Sequence, residues 1–223
     1  MRRFRDRVDA GRQLADRLAA FAGRRDVVVL ALPRGGVPVA AEVAHALQAP
    51  LDVLVVRKLG LPGHEEFAMG AIAGGGAQVL DEDVVRRHGL RPSDVAAVVR
   101  REQAELCRRE TLYRGDRPFP NLVGRVVVLV DDGTATGATM RAALAVVAKA
   151  GAARIIVAAP TVAADTAKGV AKGADDLVAV VTPEAFDSVG EWYDDFRQTT
   201  DEDVRRLLAE QAAVPTSTDE LSG

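Results

Sequence analysis

The 223-residue chain has a single cysteine, which excludes an internal disulfide and any cysteine-built zinc site. It also lacks an excess of charge. With 29 basic and 32 acidic residues, a net charge of −3 gives no general electrostatic reason to expect nucleic-acid binding. No apolar run approaches the ~18 residues that suggest a membrane span. The first residues, MRRFRDRVDAGRQ, lack the apolar region of a signal peptide, so the expectation is a soluble cytoplasmic protein with no membrane partner. Lysine is scarce, at 4 against 25 arginines, a skew we attribute to genome composition. What is present is a globular composition, 48% hydrophobic, long enough for one large domain or a core with a small lobe.

Short apolar runs alternate with helical periodicities. VVVLAL (27–32), LDVLVVR (51–57), VVVLV (126–130), 154–159 and 177–181 read as strands covered on both faces. Helices are expected over 6–22, 37–47, 137–150 and 163–172. This order predicts an α/β fold with a central parallel sheet and flanking helices. Two regions break the alternation. Residues 58–80 contain six glycines and a proline and suggest a mobile loop followed by one or two strands. A long charged helix is expected over 93–113 with Ser93 as its N-cap, offering a solvated face or a subunit contact. Beyond Pro183, GEWYDDF gathers the only Trp with Tyr193 and Phe196. A last amphipathic helix, 201–213, follows Thr200 as N-cap.

The most informative segment is VVVLVDDGTATGATM, 126–140. A buried strand ends in two acids, Asp131 and Asp132, at the sheet edge where open α/β folds place ligands. The turn after them offers backbone N–H groups, the hydroxyls of Thr134, Thr136 and Thr139, and the positive end of a helix. That is an anion site, and Gly133 and Gly137 let the backbone close around the anion. The two carboxylates would repel the same phosphate, so they should face sugar hydroxyls or a magnesium ion. Phosphate at one end and diol or metal at the other describes a phosphorylated sugar. There is no Gly-Lys-Ser/Thr of a P-loop, and ALPRGGVPVA does not supply a dinucleotide fingerprint.

This string resembles the phosphoribosyl pyrophosphate motif of type I phosphoribosyltransferases. The resemblance covers about residues 25–200 and implies that fold, with a small hood subdomain. The single domain would span 1–213, with its core at about 25–182 and its hood from 1–24 and 183–213; residues 214–223 would be a flexible tail. It implies that Asp131 and Asp132 bind the ribose hydroxyls and the Mg²⁺ cofactor. Gly133, Thr134, Ala135, Thr136, Gly137, Ala138 and Thr139 would bind the 5′-phosphate. LPRGGVP (32–38) resembles the family's pyrophosphate loop, with Arg34 and the amides of Gly35 and Gly36 at the leaving group and a cis peptide at Pro33–Arg34. RKLGLPG (57–63) resembles the flexible loop of adenine-type enzymes, which puts Arg57 and Lys58 near the donor and makes His64, Glu65 and Glu66 ionisable candidates. FRDRVDAGRQLADRL and RKLGLPGHEEFAMGAIA together resemble a little-characterised bacterial branch of the family.

The implied activity is transfer of a 5-phosphoribosyl group from phosphoribosyl pyrophosphate to a nucleobase-like acceptor, in nucleotide salvage or synthesis, by a homodimer. Catalysis would rest on Arg34, Lys58, Glu65, Asp131 and Asp132. Ala135 stands where 6-oxopurine enzymes carry an acid, although DSVGEWYDD weakly resembles the stretch that closes such sites, so the base stays open. Trp192 could stack on that base or form the hood's own core. A phosphoribosyl pyrophosphate sensor without transferase activity and a phosphate-ester hydrolase on the same scaffold remain alternatives.

Overall fold

A computed structural model describes residues 3–212, so the expected tail lies outside the described residues. Five strands, β1 (Val27–Ala31), β2 (Leu51–Val53), β6 (Val126–Val130), β7 (Arg154–Thr161) and β8 (Asp176–Val181), form a parallel sheet in the order β2-β1-β6-β7-β8. Every residue of β1 and β6 is buried. The two strands run in register from Val27 beside Val126 to Ala31 beside Val130. Alternate residues serve opposite faces. Val27, Val29, Val126 and Val128 pack with α1 (Arg7–Arg17) and α2 (Gly36–Leu47), while Val28, Leu30, Val127 and Leu129 pack with α5 (Ala138–Lys149). A fully covered sheet explains the unalternating apolar runs, and each such side chain taken out of water contributes on the order of 1.5–3 kcal/mol. α6 (Ala164–Val170) completes this α/β core.

The structure corrects the reading of residues 51–80. LDVLVVR is not one strand: β2 ends at Val53, the buried pair Leu54 and Val55 leaves the sheet, and β3 (Val56–Leu61) starts a second one. The strands expected in the glycine-rich region are present as β4 (His64–Ala73) and β5 (Ala77–Leu80), but the stretch before them is also a strand rather than a loop. β3 pairs antiparallel with β4, and β4 with β5. Pro62-Gly63 turns the hairpin, with Gly63 at φ +80°, a conformation that favours glycine. This sheet has α5 on one face and α4 (Pro92–Arg114) on the other, so Leu59 and Ile72 join Leu106 while Ala73 joins Met140.

α4 begins one residue earlier than expected, and its N-cap is Arg91, not Ser93. Pro92 occupies the first helical position, where its missing N–H costs nothing, and Asp94 reaches back to accept from the Arg91 amide at 3.1 Å. A short helix, α3 (Glu82–Arg87), had no counterpart in the sequence reading, and α1 stops at Arg17 before a 3₁₀ turn at Ala19–Phe21. α7 (Asp201–Ala212) is capped as expected: Asp203 N–H donates to Thr200 Oγ1 at 3.1 Å, and Thr200 N–H donates to Asp203 Oδ2 at 3.0 Å. The segment before α1 meets the stretch after β8 where Phe4 bridges Tyr193, and Phe4, Ala10, Trp192 and Tyr193 form a small separate core beside β8. No helix among the described residues is long and apolar enough to cross a membrane.

Candidate active site

β6 lies at the centre of the parallel sheet, and Asp131 and Asp132 leave its carboxyl end. The ladder continues one residue past the strand, since Asp131 N–H donates to Ala158 O at 3.2 Å, and this fixes where the acids emerge. Asp131 Oδ1 accepts from the Asp132 amide at 2.9 Å. Burial, and then the neighbouring charge of Asp132, push the Asp131 carboxyl well above the usual carboxylate range.

The end of β1 runs beside this point, with Leu32 N–H donating to Val130 O at 2.8 Å. The Pro33–Arg34 peptide that follows is cis. Gly35 and Gly36 then press against the acids: a Cβ on Gly35 would lie 2.0 Å from Asp132 Oδ2, and one on Gly36 would lie 2.9 Å from Asp131 Cα. A side chain at Gly36 would meet backbone, and one at Gly35 would push the Asp132 carboxylate aside, which accounts for the paired glycines in PRGG.

The 133–139 loop is fixed through its carbonyls. Thr134 O accepts from Ala163 N–H at 3.0 Å, Ala135 O from Thr166 Oγ1 at 2.5 Å, and Thr136 O from Arg141 Nη1 at 2.9 Å. Gly137, at φ +69°, is the N-cap of α5 and has no side chain to cap it, so the first turn keeps amides for an outside acceptor. A Cβ there would also meet Thr166 Cγ2 at 2.7 Å. Thr134 Oγ1 is buried without a hydrogen-bond partner, whereas Thr136 and Thr139 are exposed. An acid pair and an uncapped helix start thus lie at opposite ends of one short loop.

The chain matches the family model described as "Phosphoribosyl transferase domain" over residues 5–193. It belongs to the type I phosphoribosyltransferase family. It is 48% identical over 226 residues to a protein of Mycobacterium tuberculosis, in strains CDC 1551 and H37Rv, that carries the provisional name of a phosphoribosyl transferase. That match takes in 98% of this chain but 51% of the relative, so the chain spans about half the length of the curated relatives it matches. Among solved structures it is similar to TT1426 from Thermus thermophilus, with 45% identity and a TM-score of 0.85 over 95% of this chain and 99% of that one.

Within this chain the expected residues do not all converge. Arg34 stands between two cavities. One, of about 390 Å³, lies among Arg7, Arg34, Gly35, Asp132, Phe196 and Thr199. The other, of about 450 Å³, is lined by Pro33, Arg34, Arg108, Arg109, Tyr113 and Asp201. Arg34 Nη1 lies 3.8 Å from Asp201 Oδ1, and the Tyr113 hydroxyl donates to the same oxygen at 2.6 Å.

The residues of the second sheet divide by strand alternation. Arg57 turns toward α4, where Nη2 and Nε reach Glu102 Oε2 at 2.6 and 2.9 Å. Lys58 turns the other way and lines a groove against α5 with Ala138 and Arg141. Glu65 pairs with Arg101 at 3.1 Å, near the hairpin turn. The structure places Arg57 and Glu65 in ion pairs with α4 rather than beside the acid pair.

Trp192 is not an exposed platform. It is buried, stacks on Phe186 at 6.1 Å between ring centroids, and belongs to the small core at the chain ends. The residue that the sequence reading missed is Arg7. Its Nε and Nη2 lie 2.8 and 2.7 Å from Asp132 Oδ2. A sequence separation of 125 positions hid the pairing, because nothing in α1 marked one arginine out of several.

Proposed function

We propose that the protein is a Mg²⁺-dependent phosphoribosyltransferase that moves the 5-phosphoribosyl group of phosphoribosyl pyrophosphate to a nitrogen base and releases pyrophosphate. The observation that carries this reading is the acid pair of β6 set at one end of a carbonyl-anchored loop whose other end is the uncapped start of α5. The 5′-phosphate of the donor would take the amides of residues 135–139 and the helix dipole. Its ribose hydroxyls would donate to Asp131 and Asp132, and its pyrophosphate would extend toward Arg34 and the Gly35–Gly36 amides.

The residues present fit a magnesium ion of the kind that is held by one or two carboxylates and by substrate phosphates. Two adjacent carboxylates stand at the site, and no group of three or more His, Cys, Asp or Glu that could cage a metal exists among the described residues. Asp131 and Asp132 would hold the ion together with the donor. When bound, it would neutralise charge developing on the departing pyrophosphate.

The protein's own contribution follows from charge. As the C1–O bond breaks, the ribose becomes positive and pyrophosphate takes the negative charge. Asp131 and Asp132 face the first. Arg34, with Arg108 and Arg109 lining the adjoining cavity, faces the second. Interactions that strengthen as this charge develops raise turnover as well as affinity. Lys58 lines a groove with Ala138, the first residue of α5, so it borders the far end of the loop proposed for the 5′-phosphate. A homodimer joined along α4 and a cytoplasmic place in nucleotide supply go with this reading and rest on the sequence alone.

The test is calorimetry with phosphoribosyl pyrophosphate and Mg²⁺ on the intact protein and on a variant carrying Asp131→Asn and Asp132→Asn. Charge-assisted hydrogen bonds worth ~1.5–3 kcal/mol each predict a loss of more than tenfold in donor affinity with the fold retained. Equal affinity in both proteins would sink the ribose assignment.

A further inference from the structure

Asp132 is held from several sides through its carboxylate and its backbone carbonyl, by Arg7 before the sheet and Tyr193 after it. Arg7 sits near the start of α1 and brings two donors to the same oxygen, Oδ2, at 2.8 and 2.7 Å. The pair is largely shielded, with the side chains of Arg7 and Asp132 only 11% and 14% exposed. Arg7 is itself held in place. Its Nη1 donates to Arg197 O at 2.7 Å, and its guanidinium carbon lies 3.9 Å from the centre of the Phe196 ring. The Tyr193 hydroxyl donates to the Asp132 carbonyl at 2.5 Å. Gly35 lies against Oδ2, where an added Cβ would come within 2.0 Å.

Holding a guanidinium on a ring face and by a carbonyl costs a long side chain its rotamer freedom. Its effect here is specific. Two adjacent carboxylates repel one another, and without a counter-charge Asp132 would swing away from Asp131. The fork holds one oxygen of Asp132 and leaves the other for a donor hydroxyl. We infer that Arg7 is the positioning residue for Asp132: it fixes the acid's orientation so that the carboxylate pair recognises a ribose diol, and it makes the terminal segments of the chain part of sugar recognition. This rests on the donor-site reading above, and it adds a residue that does not itself touch the sugar.

The experiment compares two small ligands without metal. Ribose 5-phosphate would meet both the loop and the acids, whereas inorganic phosphate would meet the loop alone. Affinities are measured by NMR titration on the full chain and on Arg7→Ala, Arg7→Lys and Phe196→Leu. The intact protein should bind ribose 5-phosphate more tightly than phosphate. Arg7→Ala should weaken ribose 5-phosphate about tenfold and leave phosphate within about twofold, a loss comparable to one charge-assisted hydrogen bond. Arg7→Lys, which keeps the charge and loses the fork, should fall between the two. Phe196→Leu, which leaves the ion pair, should shift the same ratio by less and serves if Arg7→Ala fails to fold.

Equal weakening of both ligands would mark Arg7 as merely structural and overturn the inference. Unchanged binding of ribose 5-phosphate would overturn it too, and tighter binding would make Arg7 a competitor of the sugar. If the intact protein binds phosphate with no preference for ribose 5-phosphate, the ribose assignment itself fails. That result is distinct from a preference that survives the loss of Arg7.

Discussion

Gly35 and Asp132 touch so closely that a methyl group on the glycine would have its carbon 2.0 Å from Asp132 Oδ2. The pyrophosphate-type loop and the Asp132 carboxylate are therefore in packed contact, and Gly35→Ala must displace the carboxylate or the loop. Overpacking of this kind costs about 1–3 kcal/mol. The expected result is a lower melting temperature together with at least a tenfold loss of phosphoribosyl pyrophosphate affinity by calorimetry. A variant that melts and binds like the parent would mean that the two loops are not coupled.

Arg57 gives the opposite kind of expectation. Its fork lies on Glu102, which is buried on α4 and also takes Arg101 at 3.0 Å. Burial works against the Glu102 charge, but the hydrogen bonds from Arg57 and Arg101 outweigh it and hold the carboxyl below its ordinary value. Arg57→Ala should thus destabilise the fold by about 1–3 kcal/mol at neutral pH. A depressed carboxyl contributes stability above its unfolded pKa and loses it as pH falls through its folded pKa. The gap between parent and variant in urea melts should accordingly narrow as the solution is acidified through the carboxylate range. A turnover defect without a stability defect would return Arg57 to the chemistry.

The two tyrosines report on the ends of the chain. Burial and the hydrogen bond to Asp201 push Tyr113 up to about 12, and burial followed by the charge of Asp132 pushes Tyr193 higher still. A raised pKa in the folded state means stability that is complete below the unfolded value and lost as pH rises through the folded one. Absorbance at ~295 nm should therefore show almost no tyrosinate at pH ~10, where free tyrosine is half ionised. Half-titration at that pH would show that both hydroxyls are open to solvent.

Much of the core was legible in the sequence because β1, β6 and β7 are buried on both faces and their runs are apolar without alternation. The acid pair and its loop were legible for the same local reason: strand, acids, turn and helix are contiguous. The hairpin at 56–73 was not. Its glycines look like a mobile loop until one sees that Gly60 and Gly70 lie against backbone, with a Cβ meeting Glu65 O at 2.5 Å and Val79 O at 2.3 Å. They are close-packing positions in a sheet rather than points of freedom. The strand break at Leu54–Val55 was hidden because both residues are buried, as a strand's would be. Arg7 and Asp201 could not be found locally, since each meets its partner only after the chain ends fold back over the carboxyl edge of the sheet.

On the function proposed above, this site moves a phosphoribosyl group and does not merely bind the donor. The most direct measurement is pyrophosphate release from phosphoribosyl pyrophosphate and Mg²⁺ across a panel of purine, pyrimidine and other nitrogen acceptors. We predict base-dependent release with at least one acceptor, abolished by Asp131→Asn with Asp132→Asn. Tight donor binding with no donor consumed on any base, amine or water would contradict the account and leave a phosphoribosyl pyrophosphate sensor in its place.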